Sequence, residues 1–395
     1  MQFDWRRKVL FVVIICTCFA NTCRAAEENR LTPQELDQGW IQLFDGETLF
    51  GWTAGSDADW KAHDGVISSS TGKQGLLCTN TEFANYELKV DFKCPAETDS
   101  GVFLRSLLVW KVITRDCYEL NIAPTSNQWS TGALVGRQKA NGAEPKDDQW
   151  NMFDIVADGA HCTVKLNDKL VCDYTDAKPI SRGFIGLQHN KGPVEFRNIK
   201  LRPLGLKSIY SGKDLAGWKP PEGNKSEFAI TPEGWLHLQQ GKGALESDHK
   251  FGDFVLQLES KTGGKNLNSG VFFRSIPGEL LNGYECQIHN GFKNDDRTQP
   301  VDGGTGAIYR RQAVRKVVPN DQEWFHLTLI ATGKHMASWV DGYQVTDVVD
   351  ERAADDNPRN GSRTAAGTFQ LQGHDKNTDV MFRNLQVVEL PAKPE

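Results

Sequence analysis

One short segment of the chain sets three polar side chains in alternation. In Gly283-Tyr284-Glu285-Cys286-Gln287-Ile288-His289, the two-residue period of a strand puts Glu285, Gln287 and His289 on one face and Tyr284, Cys286 and Ile288 on the other. Polar groups facing a dry core without partners are costly, so that face is expected to be a solvated groove. Arg274, in Asn268-Ser269-Gly270-Val271-Phe272-Phe273-Arg274-Ser275, would add a fixed cation beside the Glu285 carboxylate, and Gln372 and His374 would arrive from Phe369-Gln370-Leu371-Gln372-Gly373-His374. A carboxylate, a cation and an imidazole in one groove are the groups that proton-transfer chemistry uses. The same residues also fit an Arg274–Glu285 ion pair on a half-exposed sheet, with no chemistry attached.

The elements that must position these residues read as strands. Tyr86-Glu87-Leu88-Lys89-Val90-Asp91-Phe92 and Phe254-Val255-Leu256-Gln257-Leu258-Glu259 carry the period-2 signature of a sheet with one buried face. Phe153 to Ala157 with Thr163 to Leu166, and Phe325 to Leu329 with Ala337 to Val340, read as hairpins. Helical stretches are scarce; Leu31 to Leu36 is the exception, with Thr32 as cap and Pro33 in the first turn.

The chain also repeats itself. Leu43-Phe44-Asp45-Gly46 through Gly51-Trp52 returns as Ile209-Tyr210-Ser211-Gly212 through Gly217-Trp218, and Asp99 to Ser106 returns as Asn268 to Ser275. Tyr118-Glu119 returns as Tyr284-Glu285, Thr131-Gly132-Ala133-Leu134 as Thr305-Gly306-Ala307-Ile308, Trp150 as Trp324, and Phe196-Arg197-Asn198-Ile199 as Phe382-Arg383-Asn384-Leu385. A unit this long is a duplicated domain and not a solenoid repeat. Two domains are expected, over residues 31–204 and 207–391. Many short strands with Gly-rich turns argue that each is an all-β, two-sheet sandwich of the jelly-roll kind. The recurring Trp52/Trp218 and Trp150/Trp324 are expected in the core, and Arg197 and Arg383 as paired, packed arginines.

Composition bounds the partners. Of 395 residues 39% are hydrophobic and 24% charged, with a formal net charge of -6, which weighs against a nucleic-acid-binding surface. The N-terminus resembles a secretory signal over residues 1–25: a basic Arg6-Arg7-Lys8, an apolar Val9 to Ala20, and small residues before a cleavage point near Ala25. That stretch is shorter than the roughly 20 apolar residues of a membrane span, so a periplasmic or extracellular protein is expected. Lipidation at Cys23 is the weaker alternative, because Ala20-Asn21-Thr22 lacks the residues usual before a lipidated cysteine. Export would allow disulfides, and Cys162 and Cys172, symmetric about an Asn167-Asp168 turn, are the best candidate pair, with six buried free thiols as the alternative.

Taken together, Asn-Ser-Gly-Val-Phe-Phe-Arg, Gly-Tyr-Glu-x-Gln-Ile, Thr-Gly-Ala-Ile-Tyr, Leu-Gln-x-His and Phe-Arg-Asn resemble the 3-keto-disaccharide hydrolase domain family, twice over nearly all of the chain beyond the signal. The resemblance implies a concanavalin A-like jelly roll and a carbohydrate substrate, a glycoside oxidised at carbon 3. The ketone acidifies the C2 proton, so a base, an enolate stabiliser and a leaving-group acid are needed. By resemblance Glu285 or His374 serves as base or acid and Arg274 as stabiliser, with Gln287, His289 and Gln372 on the substrate. In the first copy the corresponding set is Arg105, Glu119 and His189, with Asn121 and Gln188 on the substrate. There Gly-Tyr-Glu-x-Gln has become Cys117-Tyr118-Glu119-Leu120-Asn121, so the second copy is the better candidate for activity. No cofactor is implied; a divalent metal could act as stabiliser, but no ligand spacing is diagnostic. The rival readings are a non-catalytic, lectin-like carbohydrate-binding module and a cell-surface structural tandem.

Overall fold

The computed structural model describes residues 28–392. The expected signal over residues 1–25, including Cys23, lies outside the described residues. Among these residues the chain is almost entirely β, with two short helices, Pro33–Asp37 and Ile113–Asp116. The first starts where the sequence places it. The Thr32 hydroxyl accepts from the Glu35 N–H at 3.2 Å and the Glu35 carboxylate accepts from the Thr32 N–H at 3.0 Å, which satisfies two otherwise orphaned donors. No described helix is long and apolar enough to cross a membrane.

Each repeat is a sandwich of two antiparallel sheets in the jelly-roll manner. In the first copy an eight-stranded sheet is centred on Tyr86–Lys93 and Val194–Pro203. It faces a five-stranded sheet in the order Trp52–Ala54, Gly75–Thr79, Phe184–Lys191, Asp99–Ser106, Tyr118–Ile122. The second copy repeats the plan: an eight-stranded sheet around Phe254–Thr262 and Asp379–Glu389 faces a five-stranded one ordered Trp218–Lys219, Gly243–Ser247, Thr368–Gly373, Ser269–Ser275, Tyr284–Ile288. Alternation produces the core. Tyr86, Leu88, Val90 and Phe92 are all buried on one face of their strand, each large apolar side chain contributing about 1.5–3 kcal/mol.

The copies also pack on each other. The Gln42 N–H donates to Gly342 O at 2.8 Å, the Trp339 indole N–H to Gln42 O at 2.8 Å, and Arg315 pairs with Asp45 at 2.8 Å. Trp339 and Ile330 join the first copy's apolar cluster.

Two expectations change here. Cys162 lies opposite Tyr174 and Cys172 opposite Val164, and both thiols are free, as are Cys78, Cys94, Cys117 and Cys286. The turn pairs Leu166 with Lys169, a register that already puts Cys162 one residue away from Cys172, and the shift between Val164 and Lys165 makes it two. Trp52 and Trp218 are core residues whose indoles donate to Leu43 O at 2.5 Å and Ile209 O at 2.7 Å. Trp150 and Trp324 are only half-buried, capped by the guanidinium groups of Arg197 and Arg383 at 4.0 and 4.1 Å.

Candidate active site

In the second copy, Ser269–Ser275 pairs with Tyr284–Ile288 so that Phe272 faces Glu285 and Gly270 faces Gln287. Val271, Phe273, Tyr284, Cys286 and Ile288 enter the sandwich core, so Glu285 and Gln287 emerge on the opposite face. A cavity of about 720 Å³ opens there. Glu285, Gln287, Gln372 and His374 all line it, as do Asn268, Asp302 and Arg359. The loop Leu280–Leu281 forms one wall, held by Gln370, which accepts from the Leu281 N–H at 2.7 Å and donates to Glu279 O at 2.8 Å.

The cation beside Glu285 is Arg359. Its Nη1 and Nη2 each lie 3.3 Å from Glu285 Oε2, and its plane lies over the Phe272 ring at 4.9 Å. Burial pushes the Glu285 carboxyl above the usual carboxylate range, while the positive charge of Arg359 pulls it back part of the way. His374 is half exposed at the cavity edge, its Nδ1 3.1 Å from Asp375 Oδ2. Gln287 donates from Nε2 to Asp302 O at 3.0 Å and to Asp302 Oδ2 at 3.1 Å, which fixes its amide. Among the described residues, no group of three or more His, Cys, Asp and Glu side chains is arranged to hold a metal ion.

Arg274 does not share the cavity. A register shift between Phe272 and Ser275 and a left-handed backbone at Arg274, φ 49°, turn its side chain off the groove. The guanidinium is fully buried and donates to Gly252 O at 3.2 Å, Gly333 O at 2.5 Å, Arg363 O at 3.1 Å and Asp253 Oδ1 at 2.9 Å. Arg105 repeats this: φ 49°, with donors to Ala84 O at 2.7 Å, Gly159 O at 2.7 Å and Ile180 O at 2.8 Å. Both bulges need a glycine alongside, because a Cβ on Gly367 or Gly183 would come within 2.4 Å of the arginine carbonyl carbon. Both arginines are therefore clamps on loop carbonyls and not stabilisers of a reacting group. His289 is also absent from the cavity. It follows the last residue of its strand, and its Nδ1 accepts from the Gly291 N–H at 3.1 Å.

The first copy assembles less. Glu119 occupies the Glu285 position, opposite Phe103, and accepts from Gln188 Nε2 at 3.2 Å. Burial raises its carboxyl to about 7. His189 is not the counterpart of His374. It pairs with Gly75 as Gly373 pairs with Gly243, so it alternates with the core residue Leu187 and is buried, and Asn190 stands where His374 does. Asn121 gives its amide N–H to Trp129 O. Cys78 and Gly186 replace Glu246 and Gln370, and Trp110 and Ile113 pack onto Phe103 over the same face. Arg359 has no counterpart, since the connection from Asp350 to Gly367 is ten residues longer than that from Asp176 to Gly183. No motif marks Arg359; a loop-length difference between the repeats is its only trace in the sequence.

The family model for the 3-keto-alpha-glucoside-1,2-lyase-like domain matches residues 39–202 and again residues 205–388. The chain belongs to this family. It is 25% identical to a 3-keto-disaccharide hydrolase of Bacteroides thetaiotaomicron, over 48% of this chain and 87% of that one. Among solved structures it is similar to a presumptive glycosyl hydrolase of Parabacteroides distasonis, at 18% identity and a TM-score of 0.42 over 45% of this chain and 100% of that chain. It is also similar to the carbohydrate-binding module CBM66 of Bacillus subtilis, at 16% identity and a TM-score of 0.32 over 38% and 94% of the two chains.

Proposed function

We propose that the second copy is the catalytic domain of an exported enzyme that cleaves the glycosidic bond of 3-keto-glycosides. The observation that carries this reading is the Glu285–Arg359 pair in a cavity that also holds His374. Arg359 engages Oε2 alone, and Oε1 makes no hydrogen bond to another described residue. Oε1 is the atom that would take the C2 proton. The C2–H electron pair moves into the enolate of the C3 ketone, and Arg359, a fixed guanidinium at the same place, balances the charge that develops. Collapse of the enolate expels the C1 substituent and leaves a C1=C2 double bond conjugated to the ketone. His374 protonates the departing oxygen. In a hydrolase, water then adds to C1 and a proton returns to C2, giving the free 3-keto sugar; in a lyase the reaction stops at the unsaturated ketone. Gln287 and Gln372 orient the ring hydroxyl groups.

The raised carboxyl suits the role. A base that is ionised only above the ordinary carboxylate range has more affinity for the proton it removes. The test is to incubate the protein lacking residues 1–25 with methyl 3-keto-α-glucoside and 3-keto-disaccharides, with and without chelator, beside Glu285→Gln. Release of the aglycone by the wild type and not by the variant is expected. Binding of intact glycans with no turnover of any 3-keto substrate would replace the enzyme reading with the lectin-like one.

A further inference from the structure

Glu285 and Arg359 come from different elements, the edge strand of the five-stranded sheet and a long loop, yet their side chains meet. Arg352 lies where the two are tied together. Its Nε donates to Asp350 Oδ1 at 2.9 Å and its Nη2 to Asp350 Oδ2 at 2.8 Å. The same guanidinium reaches Pro358 O at 2.8 Å, Gly361 O at 2.7 Å and Arg359 O at 3.2 Å. It therefore holds the carbonyls on both sides of Arg359. Asp350 is buried, and it also accepts from the Tyr284 hydroxyl at 2.7 Å. Tyr284 directly precedes Glu285 on the strand, and its hydroxyl accepts from the Arg363 N–H at 2.9 Å, near the far end of the loop.

We propose that Arg352 is a positioning residue for the candidate active site: it fastens the turn that carries Arg359 to Asp350, which Tyr284 fastens to the strand that carries Glu285. The proposal rests on reading Glu285 and Arg359 as the working pair. A planar guanidinium is suited to the task, because it can serve a carboxylate and several carbonyls at once, which an ammonium cannot do in the same geometry. The first copy lends contrast. Tyr118 donates to Asp176 at 2.9 Å as Tyr284 does to Asp350, but the connection that follows is short and has no equivalent of Arg352 or Arg359.

The experiment is a double-mutant cycle of Arg352→Ala and Arg359→Ala, with Arg352→Lys as a further variant. Arg352→Ala should lower kcat on a 3-keto-glucoside by about tenfold to a hundredfold, more than it changes KM, and Arg352→Lys should restore little. In the Arg359→Ala background the same change should cost less than about twofold, because its effect passes through Arg359. A readout independent of turnover is the titration of the Glu285 carboxyl, followed by carbon NMR. It should move upward in Arg352→Ala, in the same direction as in Arg359→Ala, with Asp302, His374, Lys242 and Arg310 left as the other charged groups of the cavity. Full additivity in the cycle, or an unmoved titration beside a lowered melting temperature, would overturn the proposal and leave Arg352 a loop fastener only. If the wild type turns over no 3-keto-glycoside, the titration still decides the role of Arg352, while the enzyme reading fails separately.

Discussion

Both terminal nitrogens of Arg359 lie 3.3 Å from one oxygen of Glu285, Oε2. A fork that meets a single oxygen leaves the other oxygen for a second task. The consequences of this asymmetry, and of its absence from the first copy, can be measured.

Glu285→Gln should reduce turnover of a 3-keto-glycoside by about a hundredfold to ten-thousandfold, the usual size of a lost general base. Glu119→Gln should leave the rate within about twofold, because Glu119 has neither the cation nor the imidazole beside it. Rate measurements on the two variants, with circular dichroism as a folding check, decide this.

The pH profile should follow the Glu285 carboxyl. The base works when ionised, so activity falls as pH drops through its pKa, and this acid limb should lie above the ordinary carboxylate range, since burial is the dominant influence. Arg359→Ala removes the charge that opposes burial, so the limb should move to higher pH, and the plateau should drop by about a hundredfold with the loss of the charge-stabilising donor. Initial rates from about pH 4, near the ordinary glutamate pKa, to about pH 9 would show a limb that stays fixed if Arg359 and Glu285 do not interact.

Arg274→Ala and Arg105→Ala should act on stability and not on chemistry. Each removes four hydrogen bonds to loop carbonyls and a side-chain oxygen, and unpaired buried acceptors cost about 1–3 kcal/mol each where water cannot replace the donor. A clear fall in melting temperature is expected, with Arg105→Ala keeping the wild-type rate per folded molecule. A rate lost while Arg105→Ala melts normally would return that arginine to the chemistry.

Glu119 also has a stability signature. Its folded pKa of about 7 lies above the ordinary 4.5, so its contribution to stability is full below about pH 4.5 and is lost as pH rises through about 7. The change across that window is at most about 3 kcal/mol. Glu119→Gln should flatten the dependence of stability on pH between those limits, as read by denaturant melts at pH 5 and pH 8.

The duplication, the sandwich and the groove could be read from sequence because each rests on a local rule. Alternation in Tyr86–Lys93 fixes which face is buried, and in Tyr284–Ile288 it puts Glu285 and Gln287 on the cavity side. Counting by twos misled where the ladder breaks. The bulge at Arg274 turns a groove residue into a clamp, and one residue of register separates His189 from the place of His374. The cation of the site was beyond any such rule, because Arg359 reaches Glu285 through a loop held by Asp350 and Arg352 at its start and by Tyr284 on a distant strand. The sequence by itself determined the repeat, the alternation and the carboxylate. Only the tertiary structure decided which arginine meets that carboxylate, since a periodic pattern specifies the faces of a strand and carries no information about where a long loop folds back.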